Sequence, residues 1–237
     1  MKYLFLNHKM NLTKEEFLNY QEELLKLDTN DIELVVFPSS TYLSLINGDN
    51  FKIGSQDVCE YDDGSYTGEI SANQLTSIGC SYCLVGHSER RNIYNETNKD
   101  ILLKINNLQH VGITPVLCVG EKNRDIRYSV LMEQLDILEG CNLDNLVIAY
   151  EPVYCIGTGV VLDNDTIEEA ILWIKEYVIS VYDKDIPVLY GGSVNDTNIS
   201  TLNKVPGVNG FLVGSASLSI DKVKTMVEVI SSGKIME

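Results

Sequence analysis

The sequence predicts a single-domain (β/α)8 barrel spanning residues 1–237, and three observations lead there. Short β-rich runs alternate with longer amphipathic stretches from end to end, the pattern of a parallel sheet with crossover helices. No low-complexity linker, Pro-rich hinge or charge block divides the chain, although about 150 residues per domain would leave room for a second small one. The opening strand-to-helix turn, Asn7-His8-Lys9-Met10-Asn11, lacks the G-x-G-x-x-G of a dinucleotide-binding sheet, which favours a closed barrel over an open doubly wound sheet.

The eight strands are expected to begin near Tyr3, Ile32, Phe51, Tyr82, Thr114, Leu146, Val188 and Gly210. The first leads into a helix over 13–27, opened by Thr13 with Glu16 at capping-box spacing. After the second strand, Phe37-Pro38 leaves a weak helix signal. A helix over 98–109 follows the fourth strand, and His110 reads as the cation at its C-terminal end. Helices over 128–138 and 165–182 follow the fifth and sixth, the latter with Asp165 and Glu168 as its capping pair. Beyond the seventh strand the signal after Tyr190-Gly191-Gly192 is weak again, and Asp196 or Thr197 caps a short helix ahead of Pro206.

Composition narrows the function classes. Hydrophobic residues make up 44% and charged ones 22%, ordinary for a globular chain with a sizeable core. Eighteen basic against thirty-four acidic residues give a net charge of −16, which repels nucleic acid and anionic membrane surfaces. No apolar run approaches the roughly 20 residues of a membrane span. The N-terminal stretch is too short for a signal segment, so a cytoplasmic location is expected. The six cysteines read as buried thiols, and the lone Cys80-x-x-Cys83, without a second pair or a nearby histidine, is no zinc site.

In a (β/α)8 barrel the loops after the strands carry the chemistry. After the fourth strand stands His87, in Val85-Gly86-His87-Ser88-Glu89-Arg90-Arg91, which reads equally as a cap or as an acid/base group. After the sixth, Glu151 ends an apolar strand and precedes Pro152 and the glycines of Ile156-Gly157-Thr158-Gly159, a setting that predicts a buried base with a raised pKa. Glycine-bearing loops after the last two strands, Gly191-Gly192-Ser193 and Gly214-Ser215, together with Gly157, make a cradle of backbone N–H groups for a phosphate, with Lys9 as a local positive charge. The reading from residues alone is a small phosphorylated substrate, one carboxylate base and one imidazole. His8 receives no role.

Asn7-x-Lys9, the segment 85–91, Cys118-Val119-Gly120-Glu121, Tyr150-Glu151-Pro152-Val153, the segment 156–159 and Tyr190-Gly191-Gly192-Ser193-Val194 resemble, in order, the triosephosphate isomerase family, over about residues 3–230. The resemblance implies interconversion of dihydroxyacetone phosphate and glyceraldehyde 3-phosphate without metal or organic cofactor, by a cytoplasmic homodimer. It implies Glu151 as the proton-moving carboxylate, His87 as the group polarising the carbonyl, and Lys9 and Asn7 as supports of the substrate oxygens. It further implies that Gly157, Ser193, Gly214 and Ser215 hold the phosphate, that Glu89 pairs with Lys9, and that Ile156 and Leu212 crowd the base. The loop 62–69 matches the one that enters a partner's site, with Thr67 set to buttress the Lys9 and His87 end.

Departures from the family pattern are specific. His8 and Tyr154 stand where tryptophan is usual, Asp57 where asparagine is, and Ser215 where a second glycine is. Val160-Val161-Leu162 replaces a smaller, more polar hinge, and the segment 122–132 is a few residues short. Of two rival readings, a binding barrel without turnover is favoured by a missing Glu151, His87 or Lys9, all of which are present, and a different sugar-phosphate isomerase predicts another position for the base.

Overall fold

The computed structural model describes residues 2–29, 31–155 and 162–232. Eight parallel strands close on themselves: β1 (Lys2–Asn7), β2 (Ile32–Phe37), β3 (Lys52–Ser55), β4 (Cys80–Val85), β5 (Thr114–Val119), β6 (Val147–Tyr150), β7 (Val188–Tyr190) and β8 (Gly210–Val213), with β8 pairing back onto β1. Helices α1 (Lys14–Leu24), α2 (Ala72–Ser77), α3 (Ser88–Ile93), α4 (Asn98–His110), α5 (Arg127–Leu135), α6 (Asn164–Tyr182), α7 (Ile199–Leu202) and α8 (Ile220–Ser232) lie between and after the strands. Phe5, Phe37, Leu84, Val116, Ala149 and Leu189 form one apolar cluster, and Leu4, Leu6, Val36 and Val85, their alternating neighbours, belong to a second that includes the helices. Strands buried on both faces explain why they read as continuous apolar runs.

Local chemistry sets the helix starts. Thr13 accepts from the Glu16 N–H while the Glu16 carboxylate accepts from the Thr13 N–H at 2.7 Å, the reciprocal cap expected. The same device opens α2 at Ser71/Gln74 and α4 at Thr97/Asp100. Helix α1 stops at Leu24, short of residue 27, because Lys26 and Leu27 bond back three residues in a tightened last turn. Helix α5 likewise gives way to a 3-10 turn over Asp136–Leu138.

Two capping expectations are corrected. The cap of α6 is Asp163, whose carboxylate accepts from the Thr166 N–H at 2.8 Å, while Asp165 lies inside the first turn. Before α7, Asn195 rather than Asp196 or Thr197 accepts the free N–H groups, those of Thr197 at 2.9 Å and Asn198 at 3.1 Å. A short polar side chain satisfying its own downstream backbone needs only that spacing, and Asn195 stands one residue ahead of Asp196. After Phe37-Pro38 the chain makes a 3-10 segment, Ser40–Leu45.

None of the six cysteines forms a disulfide; five are buried and Cys141 is half-buried. No described helix is long and apolar enough to cross a membrane.

Candidate active site

The C-terminal ends of β1, β4, β6, β7 and β8 open into one cavity of about 800 Å³, lined by Asn7, Lys9, His87, Glu151, Ser193, Leu212, Gly214 and Ser215. Residues as far apart as Asn7 and Ser215 thus meet because every strand delivers its last residue to the same rim.

Glu151 sits where backbone approaches are closest. Gly120 at the end of β5 has no room for a side chain: a Cβ there would lie 1.8 Å from the Glu151 carbonyl oxygen. Gly191 leaves the space that the Glu151 side chain fills, 3.0 Å from where a Cβ would stand. Glu151 itself is 3% exposed. Its two oxygens are bonded, Oε1 to His87 Nε2 at 3.1 Å and Oε2 to the backbone N–H of Ser88 at 3.2 Å.

Those contacts reverse the expected titration. Burial pushes the Glu151 carboxyl up, but the His87 ring and the Ser88 N–H more than offset it and leave the carboxyl below its ordinary value. The raised pKa read from sequence is therefore corrected for this arrangement. For His87 two influences oppose. Burial disfavours its charge, while Glu151 and Glu89 raise its proton affinity above the ordinary value. Against that, the Glu89 N–H donates into Nδ1 at 3.2 Å, a bond that requires Nδ1 to be unprotonated. The geometry favours the neutral ring, with its proton on Nε2 facing the carboxylate.

Lys9 completes the charged end. Its ammonium pairs with Glu89 at 2.6 Å, as the resemblance implied, and its backbone is left-handed at φ 51°. Asn7, 4% exposed, accepts the Lys9 N–H at 3.0 Å, and Gln56 donates to the Lys9 carbonyl at 2.8 Å.

Beneath the segment leaving β6 lies a buried polar network. Glu121 is fully buried, pairs with Arg127 at 3.1 Å and accepts the Tyr150 hydroxyl at 2.9 Å. Arg127 also donates to the Tyr154 hydroxyl at 3.3 Å, and the Val153 N–H donates to the Glu121 carbonyl. Asp57 sits in a second cluster: Lys104 donates to it at 2.7 Å and Arg90 pairs with it at 2.8 Å.

Of the residues singled out from sequence, Asn7, Lys9, His87, Glu151, Ser193, Gly214, Ser215 and Leu212 meet in the cavity, with Glu89 beside Lys9. Thr67 is exposed and does not line that cavity. Ile156, Gly157, Val160 and Val161 lie outside the described residues. Lys222, in the first turns of α8, lines the cavity beside Ser193 and Ser215 and was missed; no periodic or motif signal distinguishes it from any surface lysine. Ser88, whose N–H donates to Glu151, carries no signal of its own within the 85–91 segment.

Comparison with known proteins agrees with this geometry. The family model described as triosephosphate isomerase matches residues 2–230. A protein of Francisella tularensis subsp. mediasiatica named triosephosphate isomerase is 40% identical over 233 residues, 92% of this chain and 92% of its own. One of the same name from Francisella tularensis subsp. novicida is 42% identical over 205 residues, 81% of each chain. A third, from Mycoplasmopsis agalactiae, is 40% identical over 189 residues, 77% of this chain and 72% of its own. With the family model covering nearly the whole length and the acid, imidazole and lysine gathered at one rim, the chain belongs to the triosephosphate isomerase family.

Proposed function

We propose that the chain interconverts dihydroxyacetone phosphate and D-glyceraldehyde 3-phosphate by proton transfer through an enediolate, with Glu151 as base and His87 as electrophile. The observation that carries the proposal is the 3.1 Å contact between His87 Nε2 and Glu151 Oε1 at the floor of the cavity that Lys9 also lines.

The chemistry follows from that pairing. A C–H beside a carbonyl is a very weak acid, so the base needs help from donors aimed at the carbonyl oxygen as charge develops there. A substrate seated between the two side chains separates them. His87 then turns its Nε2 proton from the carboxylate to the substrate oxygen, and Glu151 loses the donor that depressed its basicity while burial continues to raise it. The carboxylate takes a proton from one carbon and returns it to the neighbouring one, while His87 serves the two oxygens and Lys9 and Asn7 balance the enediolate charge. The Ser193 hydroxyl is committed to the Cys155 carbonyl at 3.1 Å, so its backbone N–H, with those of Gly214 and Ser215, supplies the phosphate contacts. Gly157 is assigned to the same cradle.

The proposal includes a cytoplasmic homodimer. The 61–69 loop is exposed along its whole length in the single chain, with Tyr61 stacked on Tyr66 at 4.2 Å. A second hollow of about 370 Å³ beside Lys9, His87 and Glu89 offers a place for a partner's loop, to which the exposed Thr67 belongs.

A coupled assay with glyceraldehyde 3-phosphate as the only substrate tests the reading. Dihydroxyacetone phosphate is expected from the unmodified protein, with the signal lost in Glu151→Gln; an inactive protein, or an active Glu151→Gln, overturns it.

A further inference from the structure

His8 lies between Asn7 and Lys9, both of which line the substrate cavity, yet His8 does not line it. Its ring is 1% exposed and is held against α1, edge-on to Tyr20 with centroids 4.7 Å apart and 6.3 Å from Phe17. Neither ring nitrogen has a hydrogen-bond partner, and neither does the buried Tyr20 hydroxyl. A buried imidazole without a partner is costly relative to an apolar ring, because its ring nitrogens lose their bonds to water.

The backbone on either side is pinned. The His8 N–H donates to the Phe37 carbonyl at 3.1 Å, and the His8 carbonyl accepts from Asn11 at 2.8 Å. Next in the chain is Lys9, left-handed at φ 51°, a conformation an L-residue keeps only when its surroundings impose it. The His8 side chain is the most buried of residues 7–11, 1% exposed against 4% for Asn7.

We propose that His8 is a positioning residue for Lys9: its neutral ring, wedged against Phe17 and Tyr20, holds the Lys9 backbone in the conformation that faces the substrate, and protonation of the ring releases it. The inference rests on the assignment of Lys9 to substrate binding. It makes substrate affinity in this chain sensitive to acid in a way a tryptophan would not.

The surroundings favour this direction. From α1 the ring meets Phe17 and Tyr20, from the 40–45 segment Tyr42 stacks behind Phe17, and β2 bonds only the His8 backbone N–H through the Phe37 carbonyl. Lys9 sends its ammonium to Glu89. Among the described residues no carboxylate or cation offsets the burial, which lowers the ring's pKa from 6.5 to about 4. A ring released to water regains the ordinary value, so between pH 6.5 and 4 each unit of acidification favours release by about tenfold. At pH 5 the released form is favoured about 30-fold more than at pH 8.

The test compares the unmodified protein with His8→Phe, which keeps a ring and removes the titration. Amide exchange at Lys9, corrected for its intrinsic pH dependence, is expected to show the opening constant rising about 30-fold from pH 8 to pH 5 in the unmodified protein and staying flat in His8→Phe. Over the same range KM for the triose phosphate is expected to rise more in the unmodified protein than in the variant, with kcat alike in both. An NMR titration of the unmodified protein gives a reading that needs no variant: the His8 ring is expected to titrate below pH 5. Titration near 6.5, or equal pH dependence in both proteins, overturns the proposal. Absence of isomerase activity at pH 8 with the exchange pattern intact overturns the assignment of Lys9 instead.

Discussion

Glu151 and His87 are 64 positions apart in sequence and 3.1 Å apart in space, and that contact decides how each titrates. The residue types were legible in the sequence because a carboxylate ending an apolar strand and a histidine opening a loop stand out from their neighbours. The direction of the Glu151 shift was not legible. It depends on which donors face the carboxylate, and the sequence shows burial but not the Ser88 N–H or the His87 ring. Because the folded state favours the ionised carboxyl, its contribution is present above the ordinary value of 4.5 and is lost as pH falls through the depressed one. The Glu151 carboxyl is therefore expected to titrate below 4.5 in the ligand-free protein and to move upward in His87→Ala, where burial acts with one donor fewer. Isotope-edited NMR checks this, and an unchanged value in the variant would count against the contact. Glu151→Asp withdraws the carboxylate by one methylene, and a misplacement of about 1 Å costs roughly a hundredfold in kcat, with KM changing far less. A loss under tenfold would mean that Glu151 is not the base.

At the scale of elements, the strands and the long amphipathic helices were legible because their periodicity is intrinsic to the segment. The short helices were not: α2 and α3 are six residues each and α7 is four, too brief for a period to emerge, and their starts depend on single polar side chains such as Ser71 and Asn195. The support beneath β6 was also hidden, since Glu121 and Arg127 read as ordinary charges and become a buried pair only once α5 packs on the barrel. Removing one member strands the other. Arg127→Met leaves the Glu121 carboxylate buried with the Tyr150 hydroxyl but no counter-charge and is expected to cost about 3–5 kcal/mol, measured by urea unfolding. Adding Glu121→Gln should recover much of that loss; equal instability in the double variant would show that the charge is not the cause.

For the whole molecule, closure of the barrel was legible from the count of strand–helix units and the missing dinucleotide turn, and β8 closes onto β1 accordingly. Assembly is a different matter, because a single chain shows an exposed loop and a hollow but not what fills it. Two copies each carrying −16 repel one another at long range, and dissolved salt screens that repulsion within about 10 Å at 0.1 M. Dimer affinity by sedimentation is expected to strengthen as salt rises from about 10 to 150 mM. A fully active monomer at micromolar concentration would set the dimer aside. The central claim is that a carboxylate base carries the proton between carbons, and isomerisation in deuterium oxide tests it most directly. A base that exchanges its proton with solvent during the enediolate's lifetime must place one deuterium at the reacting carbon in a fraction of the product, read by proton NMR. Product free of deuterium at every extent of conversion would point to direct hydride transfer and contradict the account.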